Sequence, residues 1–417
     1  IDNIYNYLSK NKIILKNNVN IFGSLNKWGN SNYWGYGLDR LKDEDLNSFD
    51  ITQKNRIKKI YEYIYTKNNY IGNPDDKVVN EINPNHLLSN FLKKNEINNL
   101  NITKTFLGIN KNFLNYSFKK KNWNDIRKSN DTLNPETYFK YLSKSNKINF
   151  HNLFVNNIYF IEGKYILECL DENNNNISIR AKKIILCCGT ISTTRLVTNL
   201  IRYKNEVKIL HHPMNFSLYI SKNKIVENNF IPALINIKSS INNINYNSNI
   251  RLTSDEIENK ISEIYKILFL FNFQKKILKK ISKYFLFCNN YLDTKYSNLY
   301  FKNNLKNIEI YSKKNVGTLN YLNNVSKDIK VNLIKKNLIS PIHKNFFPGF
   351  GADYHYMGTI PISDKEEDLT VNTNCELKKF SNFFIADGSV IDFKSNTFPM
   401  GLIISNAYRI GEIVSKL

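Results

Sequence analysis

The stretch Lys183-Ile184-Ile185-Leu186-Cys187-Cys188-Gly189-Thr190 constrains the fold of this chain more than any other. A largely apolar run without polar alternation is expected of a buried parallel strand. Gly189 permits the turn that ends it, and Ser192 to Leu200 reads as the helix that follows. Strand, glycine turn and helix in that order are half of a nucleotide-binding unit, which sets the chain among mixed α/β folds.

Other elements are legible around it. Ile148 to Val155, Ile158 to Ile161, Lys164 to Cys169 and Ile177 to Arg180 alternate as short strands, with a hairpin around Asp171 to Asn176. Asp43-Glu44-Asp45-Leu46 reads as a helix start, since carboxylates are favoured in a first turn. Residues 50–150 read as mainly helical, with Asn134-Pro135-Glu136 opening one helix before Tyr138 to Leu142. Thr253 and Glu256 form a capping box for a long amphipathic helix to about Tyr284, read as packed on its own domain with a solvated lysine face. Residues 290–350 carry no readable motif.

Composition narrows the function. The 417 residues suffice for two domains, and 42% hydrophobic content is normal for a folded core. A net charge of +23 invites a nucleic-acid reading. Lysine, however, rises together with asparagine and isoleucine along the whole chain, no arginine-rich stripe forms, and no nucleic-acid motif is present. No specific nucleic-acid partner is expected, while peripheral contact with an anionic membrane surface stays open. No run reaches the ~18 apolar residues of a membrane span; Ile264 to Phe271 is too short. The five cysteines are an odd set without metal-type spacing, and Cys187 and Cys188 are expected to be buried, inert thiols. A reducing, cytoplasmic location and the absence of a metal site are expected.

Chemistry concentrates in the tail. His355 lies among Gly349, Gly351 and Gly358; a strand ends in Asp387-Gly388-Ser389; Ser395-Asn396-Thr397 precedes a helix opened by Pro399. One imidazole, one amide and a helix N-terminus in this order suit removal of a proton from an alcohol. His86, His151 and His343 have no informative context. His211 and His212 follow a strand, where neighbours point to opposite faces, and are a poor metal pair. Near the start, Gly23 to Gly35 holds three glycines and two tryptophans in 13 residues, a glycine-rich loop with broad flat surfaces.

These segments, in this order, resemble the glucose–methanol–choline (GMC) oxidoreductases. His355-Tyr356-Met357-Gly358-Thr359 is similar to the family's His-x-x-Gly-Thr motif, and Asn382 to Val390 to its flavin-contact segment. Asn396 matches the second active-site position, Lys182 to Leu196 a nucleotide-domain segment, and His212-Pro213 a frequent Asp-His-Pro. Gly23 to Gly29 resembles a loop of the sugar-modifying branch. The resemblance is patchy over residues 21–417 and firm in the last 70 or so.

It implies an α/β, partly α+β, chain with a discontinuous Rossmann-like FAD-binding domain and a substrate domain of antiparallel sheet and helices. Residues 1–50, 131–205 and 351–417 would build the former, with cap helices at 51–130 and the substrate domain at 206–350. FAD would be contacted by Gly23, Asn26, Trp28, Gly29, Asn30, Val155, Gly189, Thr190, Asp387, Gly388, Thr397 and Pro399. His355 would take the hydroxyl proton of a sugar or alcohol substrate and Asn396 would orient its oxygen; the final electron acceptor is not legible. One departure counts against this. The Gly-x-Gly-x-x-Gly phosphate turn expected before Gly23 is not there, which implies roughly 60–90 missing residues or a reduced paralogue. The alternative is therefore a degenerate, FAD-deficient relative with a scaffold or anionic-surface-binding role.

Overall fold

The computed structural model describes residues 2–25, 29–32, 37–39, 41–68, 70–71, 101–104, 107–110, 133, 142, 148–223, 235–252, 284–313, 316–365 and 367–417. The helix expected from Thr253, the cap at Asn134, and two expected cofactor contacts, Asn26 and Trp28, lie outside these residues.

The expected mixed α/β architecture is present. Helix α1 (Asp2–Lys10) and strand β1 (Ile13–Lys16) open the chain, and helix α2 (Ile51–Asn68) follows. Short strands β2 (Tyr70–Ile71), β3 (Asn101–Lys104) and β4 (Leu107–Asn110) interrupt the region expected to be mainly helical. A three-stranded meander comes next: β5 (Phe154–Ile161), β6 (Lys164–Leu170) and β7 (Asn176–Ala181), paired antiparallel. Its second turn is closed by Asp171 Oδ1, which accepts the N–H of Asn173 and of Asn175.

Strand β8 (Ile184–Leu186) and helix α3 (Thr190–Leu200) form the strand–glycine–helix unit. Gly189, at φ +78°, occupies a region that a side-chain-bearing residue enters only with strain. The strand is shorter than its apolar run. It alternates, with Ile184 and Leu186 buried and Ile185 exposed, and Cys187 and Cys188 are exposed rather than buried. Covering on one face only accounts for that difference.

Two larger sheets complete the fold. Strands β9 (Val207–Ile209), β14 (Leu299–Asn303) and β15 (Ile308–Ser312) join β1 in the order β1-β15-β14-β9. Strands β10 (Met214–Ser221), β11 (Ile235–Ile241), β12 (Ile244–Leu252), β13 (Phe285–Leu292) and β16 (Ile339–Phe346) join β3 in the order β16-β10-β13-β12-β11-β3, antiparallel throughout. Helix α4 (Val316–Lys335) buries Leu322, Val325, Ile329 and Leu333, a helical-period stripe, against one face of this sheet. The same face contributes Tyr219, Ile237, Ile250 and Cys288 to that core. A larger core joins α1, α3, β8, β9, β14 and β15 to the tail. There β17 (Phe383–Ile385) pairs parallel with β8, and helix α5 (Met400–Val414) ends the chain. Among the described residues no helix is long and apolar enough to cross a membrane.

Candidate functional site

The tail folds against the segment after β9. Leu210 and Met357 exchange backbone hydrogen bonds, each N–H donating to the other's carbonyl at 2.9 Å. This close pairing requires Gly358, because a Cβ there would lie 2.4 Å from Leu210 Cδ1. Thr359 next to it shares a 2.7 Å hydroxyl–hydroxyl hydrogen bond with Thr194 of α3. The glycine and threonine of the His-x-x-Gly-Thr segment therefore set position, and they leave its histidine facing inward.

The pairing brings three histidines around one carboxylate. His211 and His212 are not on a strand, so they do not diverge as the sequence suggested; both meet Asp353. Asp353, fully buried at its side chain, takes His211 Nδ1 on Oδ1 at 3.0 Å and the His212 backbone N–H on Oδ2 at 2.8 Å. Its Oδ2 lies 3.8 Å from His212 Nδ1 and 3.7 Å from His355 Nδ1. The two Nδ1 atoms are 3.2 Å apart, and His212 Nε2 lies 3.1 Å from the Ser395 carbonyl oxygen.

These contacts define the tautomers. A carbonyl can only accept, so His212 Nε2 carries hydrogen. Burial, reinforced by His355 and His211 and opposed by Asp353, pushes His212 down to about 3, so its ring is neutral and Nδ1 has a lone pair. His355 Nδ1 must then donate, so in the neutral form of His355 the lone pair lies on Nε2. Burial alone would raise the Asp353 carboxyl, but His211, His355 and His212 hold it at about 2. An anion thus stands beside a quarter-exposed imidazole, 3.7 Å from its Nδ1.

The Asn396 loop closes one side. Phe398 sets its ring edge-on to His355 at 5.4 Å, and Tyr291 of β13 lies 6.2 Å away. Two buried carboxylates secure this loop: Asp45 Oδ1 accepts the Ser395 N–H at 3.2 Å, and Asp39 Oδ2 the Phe398 N–H at 3.2 Å. Asp45 belongs to a short 3₁₀ turn rather than to the expected helix start, and it faces inward. Thr397 and Ser395 share a 2.7 Å hydroxyl hydrogen bond, and α5 begins behind Pro399 without a side-chain cap. The Asn396 carbonyl accepts Asn247 Nδ2 at 3.0 Å.

His212, Asp353 and His355 also form a set of potential cation ligands, with one donor atom from each lying within 4.8 Å of the others. Sequence spacing hid this set because its members come from segments more than 140 positions apart. The advance signals were the His355 motif and His212-Pro213, and neither pointed to Asp353.

The remaining expected contact residues serve the turn between β8 and α3. Asp387 Oδ2 accepts the Gly189 N–H at 3.0 Å and the Thr193 hydroxyl at 2.5 Å, and its Oδ1 accepts both the N–H and the hydroxyl of Ser389. Burial raises the Asp387 carboxyl against these four donors. Thr190 donates its hydroxyl to the Tyr356 carbonyl, and Gly388 lies so close that a Cβ would meet that same oxygen at 2.7 Å. The Val155 carbonyl accepts Arg195 Nη2. Gly23 is packed on the ring of Tyr7, 2.2 Å from where its Cβ would be. Gly29 and Asn30 lie in a 3₁₀ turn, away from these hydrogen bonds.

A solved structure of similar fold names an activity. A pyridoxine 4-oxidase from Mesorbium loti, a GMC oxidoreductase, superposes with a TM-score of 0.50 over 79% of this chain and 70% of its own, at 10% identity. The chain has the fold of that oxidase. No protein-family model matches it. Among curated proteins, "Putative mitoferrin" of Plasmodium falciparum (isolate 3D7) is 29% identical over 213 residues, 46% of this chain. The chain spans only 16% of that protein's length.

Proposed function

We propose that the chain is a flavin-dependent oxidoreductase of GMC type that oxidises a CH–OH group of a sugar or alcohol. The observation that carries this reading is the His212–His355 pair beside Asp353, whose hydrogen bonds put the lone pair of a neutral His355 on Nε2, with Phe398 and the uncapped start of α5 on one side. The residues suit the ring end of FAD. A Cβ at Gly189 would meet nothing within 4 Å, so the turn opens onto space, and the uncapped first turn of α5 would offer the positive end of its dipole to an electron-rich ring. Gly189, Gly388, Thr397 and Pro399 would hold it there. When bound, FAD supplies the acceptor for the carbinol hydride.

The protein's own part is positioning and proton handling. His355 Nε2 takes the hydroxyl proton as the carbonyl forms, so one hydride and one proton leave the carbinol and the balance is two electrons. The resulting imidazolium is stabilised by Asp353 3.7 Å from Nδ1, with neutral His212 as the hydrogen-bond acceptor. Asn396 orients the substrate oxygen, and Phe398 and Tyr291 limit water around His355.

The test is anaerobic mixing of FAD-loaded chain with hydroxylated compounds while following the flavin visible band. His355→Ala should slow reduction by about 10²–10⁴-fold with cofactor binding retained. Reduction at the unaltered rate removes His355 from the mechanism. A chain that takes up no flavin at all would favour the silent, scaffold-like alternative.

A further inference from the structure

Three donor atoms around the proposed base stand at the spacing of a metal's coordination shell. His212 Nδ1 and His355 Nδ1 are 3.2 Å apart, and Asp353 Oδ2 lies 3.8 Å from the first and 3.7 Å from the second. The point equidistant from three atoms so placed is about 2.1 Å from each, the length of a zinc–imidazole or zinc–carboxylate bond. An ion at that point takes the place of the hydrogen now shared by the two rings, so the side chains need little movement to bind it. Among the described residues no other three His, Cys, Asp or Glu side chains are spaced in this way, although the chain has 36 acidic residues. The spacing is therefore not a by-product of composition.

Two of the three donors are held from behind. His212 Nε2 donates to the Ser395 carbonyl at 3.1 Å, which leaves the Nδ1 lone pair for an ion. Asp353 takes His211 Nδ1 on Oδ1 at 3.0 Å and the His212 backbone N–H on Oδ2 at 2.8 Å, and Oδ2 keeps a second lone pair. In zinc sites a ligating imidazole donates its far N–H to a carbonyl or carboxylate, and a ligating carboxylate is itself hydrogen-bonded; both contacts fix the ligands. His355 provides the way in. Its side chain is 25% exposed, against 1% for His212 and 0% for Asp353, so an ion and a water in its fourth position arrive past the His355 ring.

We infer that His212, Asp353 and His355 form an inhibitory site for a divalent cation of the zinc class, which locks His355 in a form that cannot take a proton. Two imidazole nitrogens and one carboxylate oxygen suit zinc or cobalt(II); magnesium and calcium require a larger set of oxygen ligands. Binding at Nδ1 of the neutral His355 ring moves its hydrogen to Nε2, and no proton is gained or lost overall. The Nε2 lone pair that would accept the hydroxyl proton is then gone, so the ion and the proton-taking role exclude each other at one ring. Removing the ion restores the lone pair. This consequence for activity rests on the proposed oxidation, whereas the site and the shift of the hydrogen do not.

The test titrates the full chain, freed of metal by a chelator, with cobalt(II) chloride while visible absorption is followed. The bands of a four-coordinate cobalt ion should rise to saturation at one ion per chain, disappear on addition of zinc chloride, and persist in excess magnesium. His212→Ala and His355→Ala should each weaken cobalt binding by about tenfold or more with the fold intact by circular dichroism, while His151→Ala should leave it unchanged. Nitrogen-15 spectra of the imidazoles should show zinc moving the His355 hydrogen from Nδ1 to Nε2. In the FAD-loaded chain zinc should abolish flavin reduction and a chelator restore it. The inference is overturned by the absence of a saturable cobalt spectrum, by equal losses in His151→Ala and the two ligand variants, or by undiminished flavin reduction with the ion bound. Ion binding with the hydrogen shift, in a chain that reduces no flavin even without metal, would uphold the site and remove the oxidoreductase reading instead.

Discussion

Replacing Asp353 by asparagine keeps the shape of the side chain and removes its charge, and two routes lead to a similar cost. The first is linkage. A carboxyl held at about 2 in the native state and near 3.9 when unfolded contributes ~2–3 kcal/mol at neutral pH. The second is the hydrogen-bond inventory. The introduced asparagine would keep one acceptor for the His212 N–H, but its amide would face His211 Nδ1. His211 would then shift its hydrogen to Nε2, a buried atom with no partner among the described residues. An unpaired buried donor costs ~1–3 kcal/mol, on top of a lost charge-assisted bond. We expect Asp353→Asn to lose about 2–4 kcal/mol at pH 7, read from urea unfolding with both variants under the same conditions.

The pH dependence follows with a definite sign. A depressed carboxyl contributes stability that is present above its unfolded value and lost as pH falls through its native one. The gap between parent and variant should therefore close between about pH 4 and pH 2. His212, held down to about 3, acts in the same direction, because below about pH 6.5 the unfolded ring binds a proton that the native ring refuses. The parent should lose stability steadily on acidification over that range. A variant within 0.5 kcal/mol of the parent at pH 7, or a gap that does not change with pH, would refute the reasoning.

Three further outcomes are expected. Gly23→Ala should destabilise by about 1–3 kcal/mol through the clash with Tyr7, measured by denaturant unfolding, and Tyr7→Ala in the same chain should recover part of the loss. Asp387→Asn should cost about 2–4 kcal/mol, because four donors converge on a carboxylate and the amide nitrogen would oppose two of them; hydrogen exchange should show the first turn of α3 opening most. Zinc added to the metal-free chain should bind through His212, Asp353 and His355, suppress flavin reduction, and lose affinity in His212→Ala, as followed by calorimetry.

The parts of the fold that the sequence revealed are those whose signals are local. The β5–β6–β7 meander, with its Asp171 turn, and the β8–Gly189–α3 unit could be read because alternation, turn chemistry and a glycine at positive φ act over a few residues. Strands β13 to β16 and helix α4 were not legible, since asparagine and lysine throughout the region blur both periods. In the site, His355 and the Asn396 loop stood out by motif. Asp353, His211, Asp39 and Asp45 did not, and His212 only through His212-Pro213, because their roles depend on backbone pairings between distant segments, above all Leu210 with Met357. Cys187 and Cys188 misled for the same reason: an apolar run predicts burial only where both strand faces are covered.

The account turns on which nitrogen of His355 carries hydrogen. With only six histidines in the chain, nitrogen-15 labelling of the imidazoles and two-dimensional correlation of their ring nitrogens and carbon-bound hydrogens can identify each tautomer. The account predicts His212 neutral with hydrogen on Nε2, retained at pH 5, and His355 with hydrogen on Nδ1 and an unprotonated Nε2. Hydrogen on Nε2 of a neutral His355, or a positively charged His212 at pH 5, would contradict it.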